Sequence, residues 1–216
     1  MEQKKPFIIF IEGGDGSGKS TLANNLVSEL SNKFKVVAQT DVMRCSPIGK
    51  MIYDLDCFTG LSPMLSFYGR AFSVFSGLEL LYKKYSDVEV VVCERHYAST
   101  YAYQIAAADI DAQTKNAMLH LLRNGFTEFR NNHKGSFLEV FVDVPSEVAL
   151  ERMNNSRDEL DVFERRGNKY HTKVNEAYRY FFSVIDNVTR LNSEEQSPNE
   201  MCSQVMKDIL KHVEPK

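Results

Sequence analysis

The sequence lacks most of the features that would place it in a membrane, on a polymer or outside a cell. No apolar run approaches the ~18–20 residues of a membrane span. The run that opens the chain, Phe7 to Ile11, is too short for a signal peptide, and no cleavage site follows it. Positive charge is not in excess: 26 Lys and Arg stand against 29 Asp and Glu, a formal net charge of −3. There is thus no overall basic field for a nucleic-acid backbone, and a polymer partner is not expected. The four cysteines, Cys45, Cys57, Cys93 and Cys202, form no Cys-x-x-Cys pair, and no histidine cluster accompanies them. That argues against a disulfide framework or a zinc site and for a reducing compartment. Internal repeats and low-complexity segments are also missing. The expectation is a soluble, cytoplasmic protein whose 216 residues form one domain, with no membrane partner.

What is present is alternation. Short apolar runs alternate with longer segments of helical period, the pattern of a parallel sheet wrapped by helices. The candidate strands are Phe7–Ile11, Lys35–Gln39, Val90–Cys93, Leu138–Val142 and Val188–Leu191. Val90 to Cys93 is apolar without alternation, as expected of a strand buried on both faces. Ser62 and Pro63 read as N-cap and first residue of a helix carrying Met64, Leu65, Tyr68, Phe72, Phe75 and Leu78. Tyr170, Val174, Ala177, Tyr178, Phe181, Phe182 and Ile185 follow a helical period. Ser197 and Glu200 form a capping-box pattern ahead of Met201, Val205, Ile209 and Val213. Residues Asn154 to Lys169 are charged, with little periodicity. They read either as a solvated surface loop or as a lid over a phosphate site.

The chemistry enters at Gly13-Gly14-Asp15-Gly16-Ser17-Gly18-Lys19-Ser20, which matches G-x-x-x-x-G-K-[ST]. It directly follows an apolar strand and directly precedes a helix bearing Leu22, Leu26, Val27 and Leu30. That is the strand–loop–helix setting a phosphate loop requires. The glycines let backbone N–H groups approach phosphate oxygens, and the helix N-terminus adds its positive dipole end. Lys19 should reach the β- and γ-phosphates of ATP, and the Ser20 hydroxyl, with Thr21 beside it, should face Mg²⁺. No Asn-Lys-x-Asp signature for guanine follows, which argues against a GTPase. The strand Val90–Cys93 ends in Glu94-Arg95, a carboxylate paired with a fixed positive charge, rather than in the Asp or Asp-Glu expected of a motor ATPase. Glu94 is a candidate ligand for Mg²⁺ or its water, and Arg95 a candidate bidentate clamp for a second phosphate. A plain strand-end salt bridge is the alternative.

The stretch Glu94-Arg95-His96-Tyr97-Ala98-Ser99-Thr100-Tyr101-Ala102-Tyr103-Gln104 resembles the thymidylate kinase family, whose pattern there is Asp-Arg-Tyr-x-x-Ser-x-x-Ala-Tyr-Gln. Arg95, Ser99, Ala102, Tyr103 and Gln104 match in register. Phe141-Val142-Asp143-Val144-Pro145 and Ala149-Leu150-Glu151-Arg152 resemble the family's fourth strand and the helix after it. Arg157, Leu160, Asp161, Phe163 and Glu164 resemble its lid. The resemblance implies an α/β, three-layer P-loop kinase fold: a five-stranded parallel sheet with helices on both faces and a lid near residues 152–168. It implies ATP with Mg²⁺ and a deoxynucleoside monophosphate acceptor, foremost dTMP. On this reading Asp15 lies near the acceptor's 3′-hydroxyl, Arg70 and Phe67 at its base, Arg95 at its phosphate and Tyr103 against the sugar 2′ position. Ser99, Thr100 and Gln104 are further acceptor contacts. The transition-state arginine comes from the lid, Arg157 first and Arg152 second. A homodimer is also implied, with the helix 62–81 as its contact, although the apolar residues of that helix equally suit the core.

The sequence also departs from the pattern. The family's Thr-Arg-Glu-Pro after the second strand reads Thr40-Asp41-Val42-Met43, with Arg44 three residues beyond Asp41 as a candidate substitute. The aromatic residue four before the helix arginine is Ser66, Glu94 replaces Asp, and Val162 replaces a lid arginine. Two other readings stay open. One is a deoxynucleoside kinase with Glu94 as base toward a neutral hydroxyl. The other is a nucleotide-binding protein without catalysis.

Overall fold

The computed structural model describes residues 5–39, 41–59, 61–133, 136–156 and 167–213. Five strands form one parallel sheet in the order β2-β3-β1-β4-β5. They are β1 (Phe7–Glu12), β2 (Val36–Gln39), β3 (Val90–Glu94), β4 (Phe137–Asp143) and β5 (Val188–Asn192). Each expected strand is present, its ends within one residue of those expected. The helices are α1 (Lys19–Leu30), α2 (Pro47–Thr59), α3 (Pro63–Lys84), α4 (Tyr97–Thr100), α5 (Ala112–Asn132), α6 (Ser146–Ser156), α7 (Asn168–Ser183) and α8 (Pro198–Ile209). A 3-10 turn spans Val42–Cys45, and a π-helical turn over Tyr101–Ala106 continues α4.

The pleat of β1 explains the layering. Phe7, Ile9 and Ile11 point to one face, where they pack with Leu22, Leu26 and Leu30 of α1 and Met201, Val205 and Ile209 of α8. Ile8 and Phe10 point to the other face, where they meet residues of α3, α4, α5 and α7. Both faces are therefore dry, and continuous apolar runs are what such strands need. Local signals set several helix starts. The Ser62 side chain accepts from Leu65 N–H, and Ser197 with Glu200 completes a capping box with Pro198 at the first position.

This topology opens a crevice. The chain leaves β1 toward the α1 face and leaves β3 toward the α4–α5 face, although the two strands are neighbours. Adjacent strands whose outgoing connections diverge leave a cleft at their carboxyl ends, and ligands of open α/β sheets bind there. Among the described residues, no helix is long and apolar enough to cross a membrane.

Candidate active site

The loop 13–18 leaves β1 at this crevice. Gly16 and Gly18 have φ of 76° and 90°, a left-handed backbone that a side chain would strain. Gly18 is the N-cap of α1 and supplies no side-chain cap, unlike Ser62, Asp111 and Ser197 at other helices. The first N–H groups of α1 have no intrahelical acceptor, so this end suits an anion. Lys19 turns back onto its own loop, donating to Gly14 O at 3.0 Å and lying 3.4 Å from Asp15 Oδ1. Burial first, and then the nearby Arg95 charge, pull its ammonium below the ordinary lysine pKa.

Ser20 and Glu94 meet at the ends of α1 and β3. The Ser20 hydroxyl donates to Glu94 Oε2 at 2.6 Å, across 74 residues of chain. The pair presents hard oxygen ligands beside the phosphate loop, the type of donor that Mg²⁺ takes while keeping several waters. Among the described residues no group of three His, Cys, Asp or Glu could hold a metal by itself. A site that shares its cation with substrate phosphates needs no such cage.

Asp15 is the electrostatic centre. Its carboxylate pairs with the Arg95 guanidinium, accepts from Tyr103 Oη at 2.6 Å and stands beside Lys19. Burial alone would raise its pKa; the charges of Arg95 and Lys19 outweigh that and hold it below the usual carboxylate range. Arg95 has φ of 63°, and its guanidinium lies over the Tyr103 ring at 5.3 Å.

A cavity of about 160 Å³ opens next to this cluster. Asp15, Arg70, Arg95, Ser99, Thr100, Tyr103 and Gln104 all line it. The structure thus gathers in one place most of the residues expected at an acceptor. It adds Asp41, Met43, Arg44, Tyr53 and His96 to the lining. Arg44 and Arg70 both lie over the Tyr53 ring, at 5.0 and 5.3 Å. Asp41 caps the 3-10 turn by accepting from Met43 N–H at 2.9 Å, and its burial raises its pKa despite three nearby arginines. Phe67 stands elsewhere: it is fully buried in the core, and the aromatic ring from the helical side of the cavity is Tyr53. Nothing in the local sequence marks Tyr53; only the packing of α2 against α3 and the turn before it brings the ring there. Arg152 lies on the far side of the phosphate loop, donating to Ser193 Oγ at 2.9 Å and Ser193 O at 2.8 Å and approaching Gly16 O at 3.4 Å. Arg157 and the rest of the expected lid, residues 157–166, lie outside the described residues, as does Thr40.

A glycine-rich loop at the end of β1 and an arginine at the end of β3 meet at one cavity, in a fold and site of the P-loop nucleoside monophosphate kinase class. The chain belongs to the thymidylate kinase family: the family model described as thymidylate kinase matches residues 11–205. A probable thymidylate kinase of Metallosphaera sedula is 30% identical over 183 residues, 83% of either chain. The thymidylate kinase of Chlamydia caviae is 27% identical over 92% of this chain and 94% of its own. The solved structure of thymidylate kinase from Candida albicans superposes with a TM-score of 0.67 at 19% identity, covering 96% of this chain and 92% of its own. That likeness speaks for the fold.

Proposed function

We propose that this chain moves the γ-phosphoryl group of ATP onto the 5′-phosphate of dTMP, giving dTDP and ADP, and that it does so as one kinase domain in the cytoplasm. The observation that carries the reading is Arg95: a guanidinium over the Tyr103 ring that lines a cavity adjoining Lys19 and the phosphate loop. A cation so placed is suited to clamp a second anion with two hydrogen bonds.

The chemistry follows from the acceptor. A phosphate oxygen is already anionic near neutral pH, so it attacks the γ-phosphorus without a base while the bond to ADP breaks. What remains is positioning and charge neutralisation. Lys19 leaves Gly14 O and Asp15 to meet the β- and γ-oxygens. Arg95 holds the attacking phosphate. The uncapped N-terminus of α1 and the loop amides hold the donor phosphates. Ser20 and Glu94 are the residues that would hold Mg²⁺, which neutralises donor phosphate charge when bound. Glu94 is bonded to Ser20 and does not line the acceptor cavity, so the arrangement favours a metal ligand over a base for a nucleoside hydroxyl. Arg44 and Arg70 supply further positive charge in that cavity, where the lost arginine of the family pattern would have contributed. Arg157 remains the proposed lid arginine and Arg152 the second. Two such chains are proposed to form a homodimer through α2 and α3.

The deciding experiment compares dTMP with thymidine at equal concentration under saturating MgATP, with ADP release as the readout. Faster release with dTMP is expected. Faster release with thymidine would transfer the chain's activity to nucleosides and make Glu94 the candidate base.

A further inference from the structure

Glu12 is a charged residue at the end of a wholly apolar strand, and its side chain is fully buried. A buried carboxylate is stable only when its oxygens are met by donors, and four donors meet this one. Oε1 accepts from the backbone N–H of His96 at 2.7 Å and of Ser99 at 3.1 Å. Oε2 accepts from the Ser99 hydroxyl at 2.7 Å and the Tyr178 hydroxyl at 3.2 Å. The His96 ring adds Nδ1, 3.1 Å from Oε1.

Three of these donors belong to the segment 95–99, which begins with Arg95 in its left-handed conformation. A non-glycine residue keeps such a backbone only where its surroundings over-determine it. Arg95 N–H donates to Ile11 O at 3.0 Å, which anchors the start of the segment to β1. Glu12, the next residue of β1, anchors the rest. The last two residues of one strand therefore dictate where the arginine at the end of its neighbour points.

We propose that Glu12 is a positioning residue for the acceptor-phosphate arginine: it holds residues 96–99 so that the Arg95 guanidinium is presented to Asp15 and the acceptor cavity. The inference rests on the reading of Arg95 as the acceptor clamp. Tyr178 extends the same device to α7, because its hydroxyl reaches both Glu12 and Ser99 Oγ, the latter at 2.7 Å.

The test uses the full chain with Glu12→Gln, which keeps the shape but removes the charge and one acceptor. The KM for dTMP should rise about 10-fold and kcat should fall about 10-fold, because misplacing a reacting group by ~1 Å costs up to ~10²-fold. The KM for ATP should stay within about twofold. A carboxylate that only stabilised the fold would lower Tm and leave both KM values and the kcat of the folded enzyme unchanged; that outcome overturns the proposal, as do equal losses on the ATP and dTMP sides. If Glu12→Gln does not fold, Tyr178→Phe removes one donor to Glu12 outside the cavity lining and should shift the dTMP KM in the same direction, by about threefold. A crystal structure of the ligand-free variant gives a readout independent of turnover: loss of the Arg95–Asp15 contact supports the proposal, and an unmoved Arg95 sinks it. Should the wild-type enzyme fail to phosphorylate dTMP, the acceptor assignment falls while this structural readout still decides the role of Glu12.

Discussion

Asp15 brings the opposing charges of the site together: its carboxylate meets the Arg95 guanidinium, the Lys19 ammonium and the Tyr103 hydroxyl. The phosphate loop was legible because its backbone demands leave few residue choices: glycine where φ is positive, lysine and a hydroxyl at fixed offsets. Arg95 was legible as a charged residue closing an apolar strand, whereas Ser99, Tyr103 and Gln104 were legible only through the resemblance. Glu12 was not, because a carboxylate after an apolar strand reads as the strand's polar end until its donors, 84 and 87 residues away, are in place. Tyr103 now carries two separable roles. Its hydroxyl donates to Asp15, and its ring lies under Arg95 and lines the acceptor cavity. Tyr103→Phe removes only the hydroxyl, and kcat/KM for dTMP should fall about 10-fold, since a bond to a charged group contributes about 1.5–3 kcal/mol. The preference for deoxyribose over ribose should be kept. Tyr103→Ala removes the ring as well, and that preference should shrink. Steady-state kinetics with dTMP and its ribose counterpart decide the matter; an unchanged ratio in the alanine variant would make the ring a packing residue.

Among the elements, those with a chemical reason written locally were legible. Strands dry on both faces leave continuous apolar runs, and capped helices leave Ser-Pro or Ser-x-x-Glu. The π turn at Tyr101–Ala106 left no such mark. It differs from α-helix by one residue in its bonding, as in Ala107 N–H to Ala102 O at 3.1 Å, and composition does not record that shift. The turn nevertheless brings Tyr103 and Gln104 into the cavity lining with Ser99 and Thr100. The 3-10 turn at Val42–Cys45 is held differently, by close approach. A Cβ on Gly77 of α3 would lie 2.2 Å from Val42 O. Two effects oppose each other at Gly77→Ala. Helix propensity favours alanine by about 1 kcal/mol, and overpacking costs about 1–3 kcal/mol. The obstructing atom is backbone rather than a flexible side-chain end, so overpacking should win. The variant should lose up to about 2 kcal/mol in a urea or thermal melt, with a raised KM for dTMP because Asp41, Met43 and Arg44 ride on that turn. A stability gain would show that α3 and the turn separate freely.

On the scale of the whole molecule, α3 serves two surfaces. Phe67, Ala71, Val74, Leu78 and Leu81 enter the core, while Met64, Leu65, Tyr68 and Phe72 stay exposed, Phe72 by 58%. Ile48, Met51 and Leu55 of α2 are exposed as well. So many exposed apolar side chains on two packed helices suit self-association. Phe72→Glu should convert the proposed homodimer to monomer in light scattering after size exclusion; a wild-type monomer at micromolar concentration would remove the dimer from the account. One consequence of the sheet concerns length rather than charge. The glycine-rich loop follows β1 and Arg95 follows β3, and the two strands pair side by side with Ile11 opposite Glu94. The spacing of their ends is therefore the interstrand distance, about 4.8 Å, a gauge fixed by backbone hydrogen bonds. Changes to the wall of the cavity, such as those at Asp41 and Arg44, should alter which base the proposed acceptor site admits. They leave untouched the span between the two strand ends, across which the proposed transfer would run.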